Sequence, residues 1–143
     1  MNRCAPSRRR AVLTLAAAGL LAAGLTPIAT AQDGPPPGHR PFPAQALRGE
    51  LSITAWPEAR LNDQSVRLAP GARVRGADNL LRPPASLTGQ TLLVHYTVEA
   101  TTGLLMEVWL LNDAERNNRP WPTTPAEART WRFNPTTQKW ARP

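Results

Sequence analysis

The sequence predicts an all-β fold, a small five-stranded antiparallel barrel flanked by an N-terminal signal helix and by a short C-terminal helix plus hairpin. Three observations predict it. Thr91 to Leu111, TLLVHYTVEATTGLLMEVWLL, alternates apolar and polar residues on both sides of Ala100-Thr101-Thr102-Gly103, the pattern of an antiparallel hairpin with one buried face. Turn-forming residues recur roughly every 8 to 15 positions between Ala46 and Leu111, as in small barrels. No helical period in that stretch outlasts two turns, and the chain is too short for a seven-stranded sandwich.

In the hairpin, Leu92, Val94, Tyr96 and Val98 face inward from one strand and Met106, Val108 and Leu110 from the other. His95, Glu99 and Glu107 then point to solvent. Trp109 falls on the outer face with Leu105 and Leu111, a position that asks for cover by the tail. Upstream, Ala46 to Trp56 alternates with Leu47, Gly49, Leu51, Ile53 and Ala55 on one face, until Pro57 bends or ends the strand. Leu61-Asn62-Asp63-Gln64 is a tight turn, since Asn and Asp tolerate positive φ. Ser65 to Ala69 resumes as a strand with Val66 and Leu68 inward. Pro70-Gly71 turns the chain into a further short strand, Ala72 to Arg75, around Val74. Gly76 to Asn79 and Arg82-Pro83-Pro84 read as loop, with Leu80 and Leu81 plugging one end of the barrel.

Gly49-Glu50-Leu51, the run Arg67-Leu68-Ala69-Pro70-Gly71-Ala72-Arg73-Val74-Arg75, Leu87-Thr88-Gly89 and Gly103 through Leu110 resemble an OB-like domain of unknown function found in exported bacterial proteins. The likeness covers about residues 47–111. It implies an OB-like barrel and no particular activity.

The start of the chain reads as an export signal. Arg3 and Arg8 to Arg10 form a basic region, Ala11 to Leu25 an apolar run of 15 residues, and Ala29-Thr30-Ala31 a signal-peptidase pattern. The run is short of the roughly 20 residues that span a bilayer, so residues 1–31 are expected to be cleaved rather than to anchor the chain. Ser7-Arg8-Arg9-Arg10-Ala11-Val12-Leu13 resembles the twin-arginine consensus in part, and a Sec signal fits equally well. The location implied is periplasmic or secreted, in a bacterium. Formal charge falls accordingly: four of the 17 basic residues leave with the leader, and 13 remain against 10 acidic ones, about +3. That is an ordinary surface rather than a nucleic-acid footprint. The single cysteine, Cys4, leaves too, which excludes disulfides, thiol catalysis and thiolate ligands from the mature chain.

Residues 32–45 carry Pro35, Pro36, Pro37, Pro41 and Pro43, and are expected to form an extended linker in which His39 is solvated. The barrel occupies 46–112 and a Pro/Trp-rich tail 113–143. Within the tail, Asn112 to Thr123 reads as linker. Thr124-Pro125-Ala126-Glu127 is a capping box that opens a helix over 125–130. Residues 131–140 form a hairpin turning at Asn134-Pro135-Thr136-Thr137, with Trp131 opposite Trp140.

Chemistry is sparse. No P-loop, dinucleotide fingerprint, HExxH motif or nucleophile elbow is present, and no cofactor or metal is implied. His95 with Glu99 and Glu107 is the closest approach to an acid/base or metal cluster. Five tryptophans give a stronger lead, and Trp109, Trp121, Trp131 and Trp140 are the candidate binding residues, with Arg132, Lys139 and Arg142 nearby in sequence. The reading is an exported, non-catalytic envelope binding or adaptor module whose partner is an envelope protein or a glycan. The alternative is a small periplasmic enzyme or metal-dependent protein centred on His95, Glu99 and Glu107.

Overall fold

The computed structural model of the chain describes residues 34–143; the expected leader, with Ala29 and Ala31, lies outside them. Five strands form one sheet: β1 (Leu47–Ala55), β2 (Glu58–Leu61), β3 (Gln64–Arg75), β4 (Thr91–Val98) and β5 (Leu105–Leu110). Their order, β1-β2-β3-β5-β4, closes into a barrel through antiparallel pairing of β1 with β4, Leu47 opposite Tyr96 and Leu51 opposite Leu92. The sheet is mixed rather than purely antiparallel. Strand direction must alternate around an antiparallel ring, and an odd ring cannot alternate throughout. Here β3 and β5 are the parallel pair, with Leu68 opposite Leu105 and Val74 opposite Val108. The connection from β3 to β5, residues 76–104 with β4 among them, supplies the crossover such a pair needs.

The strands are partitioned differently from the sequence reading. β1 ends at Ala55, just before Pro57 as expected, but the pairing continues: β2 follows the Trp56-Pro57 turn and folds back on β1, Ile53 opposite Ala59. Asn62 and Asp63 then make the expected turn at φ +49° and +64°. Pro70-Gly71 does not turn the chain, and the two short strands expected there are one. It bends at a register shift between Leu68 and Arg73, so that residues 64–67 pair with β2 and later ones with β5. Proline fits there because its missing N–H falls where no ladder bond is made.

The barrel core is Leu47, Leu51, Ile53, Ala59, Leu61, Leu68, Val74, Leu87, Val94, Tyr96, Leu105 and Val108. Leu87, on a 3₁₀ turn (Pro84–Leu87), takes the plugging place expected of Leu80 and Leu81, which are 64% and 61% exposed. Those two are turned outward by the Gly76–Asn79 loop, closed by the Gly76 amide donating to the Leu80 carbonyl at 2.8 Å. In β5 a register shift opposes Val98 to Leu105 and skips Met106. One extra residue resets the period-2 alternation, so Leu105 enters the core and Val98 is left exposed.

A second apolar cluster covers the outer face of β4 and β5: Phe42, Ala46, Trp109, Leu111, Trp121 and Trp140. The described part of the 32–45 segment is therefore not simply a free linker, because Phe42 is buried in this cluster and His39 beside it. Asn112 to Thr123 is not all linker either. It contains α1 (Asp113–Asn117), opened by a capping box in which the Glu115 amide donates to Asn112 Oδ1 and the Asn112 amide to Glu115 Oε2, each at 3.0 Å. The second helix, α2 (Pro125–Thr130), starts on the expected box at Thr124 and Glu127. The hairpin, β6 (Arg132–Asn134) with β7 (Lys139–Ala141), opposes Trp140 to Phe133 rather than to Trp131. Gln138 joins the loop at φ +54°, and the Thr136 and Thr137 amides both donate to Asn134 Oδ1, which lengthens the turn and moves the register.

Candidate functional site

Arg48 and His95 are cross-strand partners on the outer faces of β1 and β4. On an uncovered sheet both would meet water, but the tail and the Pro-rich segment lie over them. His95 is fully buried, stacked on Trp121 (centroids 4.1 Å, interplanar angle 22°) and against the edge of Phe42 at 4.5 Å. Arg48 Nε donates to His95 Nε2 at 3.1 Å. Since a guanidinium can only donate, the ring proton sits on Nδ1, which has no partner. Burial, followed by the charges of Arg48, His39 and Arg40, pushes the imidazole down to about 2. A ring that is neutral, sealed and already bonded at its basic nitrogen is not a general base or a metal ligand. Glu99 instead accepts from the Thr102 hydroxyl, and Glu107 lies 3.7 Å from Arg73. No group of three His, Cys, Asp or Glu among the described residues is placed to hold a metal ion.

Glu115 is the other buried charge. Arg40 grips it at 2.7 Å through Nε and 2.6 Å through Nη2, and the Arg40 amide adds a third bond at 3.1 Å. Burial alone raises its pKa, but the bonds from Arg40 and the Asn112 amide outweigh that and hold the carboxyl below its usual value. Arg40 also donates to the carbonyls of Gly76 and Leu110, tying the Pro-rich segment to the barrel. His39 donates from Nδ1 to its neighbour's carbonyl and accepts from Asn118 Nδ2 at 2.8 Å, while Asn118 also reaches the Gln138 carbonyl. The Phe42 amide donates to Gln138 Oε1 at 2.7 Å. These bonds join three sequence-distant segments, and every group in them is engaged in holding the fold.

Arg48 stands at the margin of this network and lines a cleft of about 670 Å³ with Leu93, Arg119, Pro120, Trp121, Trp140 and Arg142. The volume suits a small ligand. Arg48 is only 8% exposed, donates through Nη2 to the Glu115 carbonyl at 2.7 Å, and its pKa is lowered to about 10, first by burial and next by the charge of Arg119. It stays cationic at neutral pH. A second recess, about 720 Å³, lies between α2 and the β4–β5 turn, where Leu47, Val98, Pro125 and Ala128 give it mainly apolar walls.

The tryptophans marked out by the sequence divide. Trp109 is covered as its position required, with Phe42 edge-on at 5.6 Å. Trp121 donates from Nε1 to the Ala46 carbonyl at 2.9 Å and, like Trp140, is buried while still walling the cleft. Trp131 lies apart, under the Arg142 guanidinium at 5.0 Å. Arg48 and Arg119 were missed as site residues. Arg48 looked like one polar position on an alternating strand, and no sequence pattern ties Arg119 to it.

The chain matches no family model, no curated protein and no solved structure. Nothing in these comparisons or in the described fold indicates catalysis. No helix among the described residues is long and apolar enough to cross a membrane.

Proposed function

We propose that this chain is an exported, non-catalytic binding or adaptor module of the bacterial cell envelope, built on an OB-like barrel. The observation that carries the reading is the fate of its titratable groups. The buried His39, His95 and Glu115 are consumed in bonds that fasten the flanking segments to the barrel, and beside them a cationic, tryptophan-walled cleft stays accessible. The strand order with one parallel β3–β5 pair supports the OB-like assignment. A second face merits the same test, because Trp56 is 44% exposed and lines a recess of about 340 Å³ with Pro57, Arg67 and Leu104. OB folds take oligosaccharides and oligonucleotides near such loops.

The test is expression of the full chain with a C-terminal tag in a Gram-negative host. Fractionation followed by N-terminal sequencing is expected to find a periplasmic protein beginning at Gln32. Incubated with isolated envelope saccharides and proteins, that protein is expected to retain a component without altering its mass. A cytoplasmic, unprocessed product or a chemically changed substrate would overturn the proposal.

A further inference from the structure

We infer that the cleft between the barrel and the tail binds a phosphate monoester carried on a ring or a short apolar group, gripped by Arg48, Arg119 and Arg142. The inference rests on the binding-module reading and names its ligand class. Three guanidinium side chains line one recess, and among the described residues no carboxylate lies within 4.0 Å of any of them. Glu115, which Arg48 touches, gives it only its backbone carbonyl, because both carboxylate oxygens are taken by Arg40 and the Asn112 amide. Glu127 lies within the field of Arg142 but makes its bonds to Thr123 and Thr124.

Arg48 is held rigidly by His95 and the Glu115 carbonyl, and donors remain on its fork beyond these. Arg119 and Arg142 are exposed; Arg119 Nε donates to the Arg116 carbonyl at 3.4 Å and Arg142 lies over Trp131, and their terminal nitrogens make no hydrogen bond among the described residues. Nearly buried positive charge with no counter-charge in contact is unfavourable, and an anion in the cleft relieves it. One carboxylate is satisfied by a single bidentate fork, whereas a phosphate monoester carries about −1.5 to −2 charge and three acceptor oxygens, enough to engage all three. Leu93, Pro120 and the edges of Trp121 and Trp140 give the ester-bearing group an apolar wall. Trp140 Nε1 is buried with no partner.

The probes are glucose 1-phosphate and dihexanoyl phosphatidate, titrated into the full-length processed protein by calorimetry at low salt, with glucose and glucuronate as controls. At least one phosphate ester is expected to bind, which also tells a sugar bearer from a lipid one, and glucose is expected not to. In the double variant Arg119→Gln, Arg142→Gln, both at exposed positions, affinity should fall about tenfold or more with the thermal midpoint unchanged. Rising salt should weaken binding in the wild type and much less in the variant. Unchanged affinity in the double variant, loss through Trp56→Ala instead, or glucuronate binding as well as either ester would overturn the assignment. Retention of a neutral envelope saccharide with no phosphate binding would sink it while leaving the binding-module reading intact.

Discussion

At the scale of single residues, the buried histidines set the acid response. His39 and His95 both have pKa values lowered by burial, so both are neutral in the folded chain. An unfolded histidine takes up its proton near 6.5, so on acidification the unfolded chain binds more protons than the folded one. Their contribution to stability is complete above pH 6.5 and is lost as the pH falls below it, for His95 down to about 2. His95→Gln keeps an acceptor for Arg48 but cannot titrate. Urea unfolding between pH 6.5 and 4.5 should therefore show a shallower loss in the variant, with a slope smaller by up to about 1.4 kcal/mol per pH unit. Identical slopes would mean that the ring is solvated. Glu115 acts in the same direction lower down. Its depressed pKa gives stability that is present above 4.5 and disappears as the pH falls through the folded value. Glu115→Gln leaves Arg40 mostly buried without its counter-charge, and should cost about 3–5 kcal/mol at neutral pH in the same unfolding assay.

At the scale of elements, legibility followed locality. The Asn62-Asp63 turn, the Gly103 turn at φ +73° and the Thr124 capping box were readable because each is decided by a few adjacent residues. The box at Asn112 and Glu115 has the same form, and was passed over because Pro120 and Pro122 nearby made the stretch look broken. The two boxes do unequal work. Thr124→Ala removes one acceptor from the start of an exposed two-turn helix and should cost about 1 kcal/mol. Asn112→Ala should cost visibly more, because Asn112 also donates to the Gly38 carbonyl at 2.9 Å and its cap holds Glu115 in place for Arg40. Comparing the two by thermal unfolding checks this ranking, and equal losses would show that α1 is no more than a capped turn. The hairpin β6–β7 marks the limit of local reading. Its existence was clear, but a left-handed Gln138 shifted the register and exchanged Trp131 for Phe133 opposite Trp140.

At the scale of the whole molecule, period-2 patterning reports which face of a strand is apolar and says nothing about what lies on the other face. The inward residues Leu51, Ile53, Val94, Tyr96 and Val108 were legible for that reason. His95 and Arg48 were not, because their burial depends on Phe42 and Trp121, 53 and 26 positions from His95 along the chain. The cleft escaped notice with them, since β1, the 119–121 stretch and the last residues meet there only after the tail has folded back. The barrel and its cover are therefore expected to be one cooperative unit. The barrel's own core is small, and the outer cluster buries Trp109 and Leu111 from β5 and its end only when Trp121 and Trp140 are present. Ending the chain at Asn112 would expose those residues, uncover His95 and leave Arg40 without Glu115. Such a truncation should lose near-ultraviolet circular dichroism and bind a hydrophobic dye, rather than yield an intact barrel lacking only its tail. A truncated chain with native-like amide dispersion and a sharp thermal transition would show instead that the strands close unaided and the tail is an accessory.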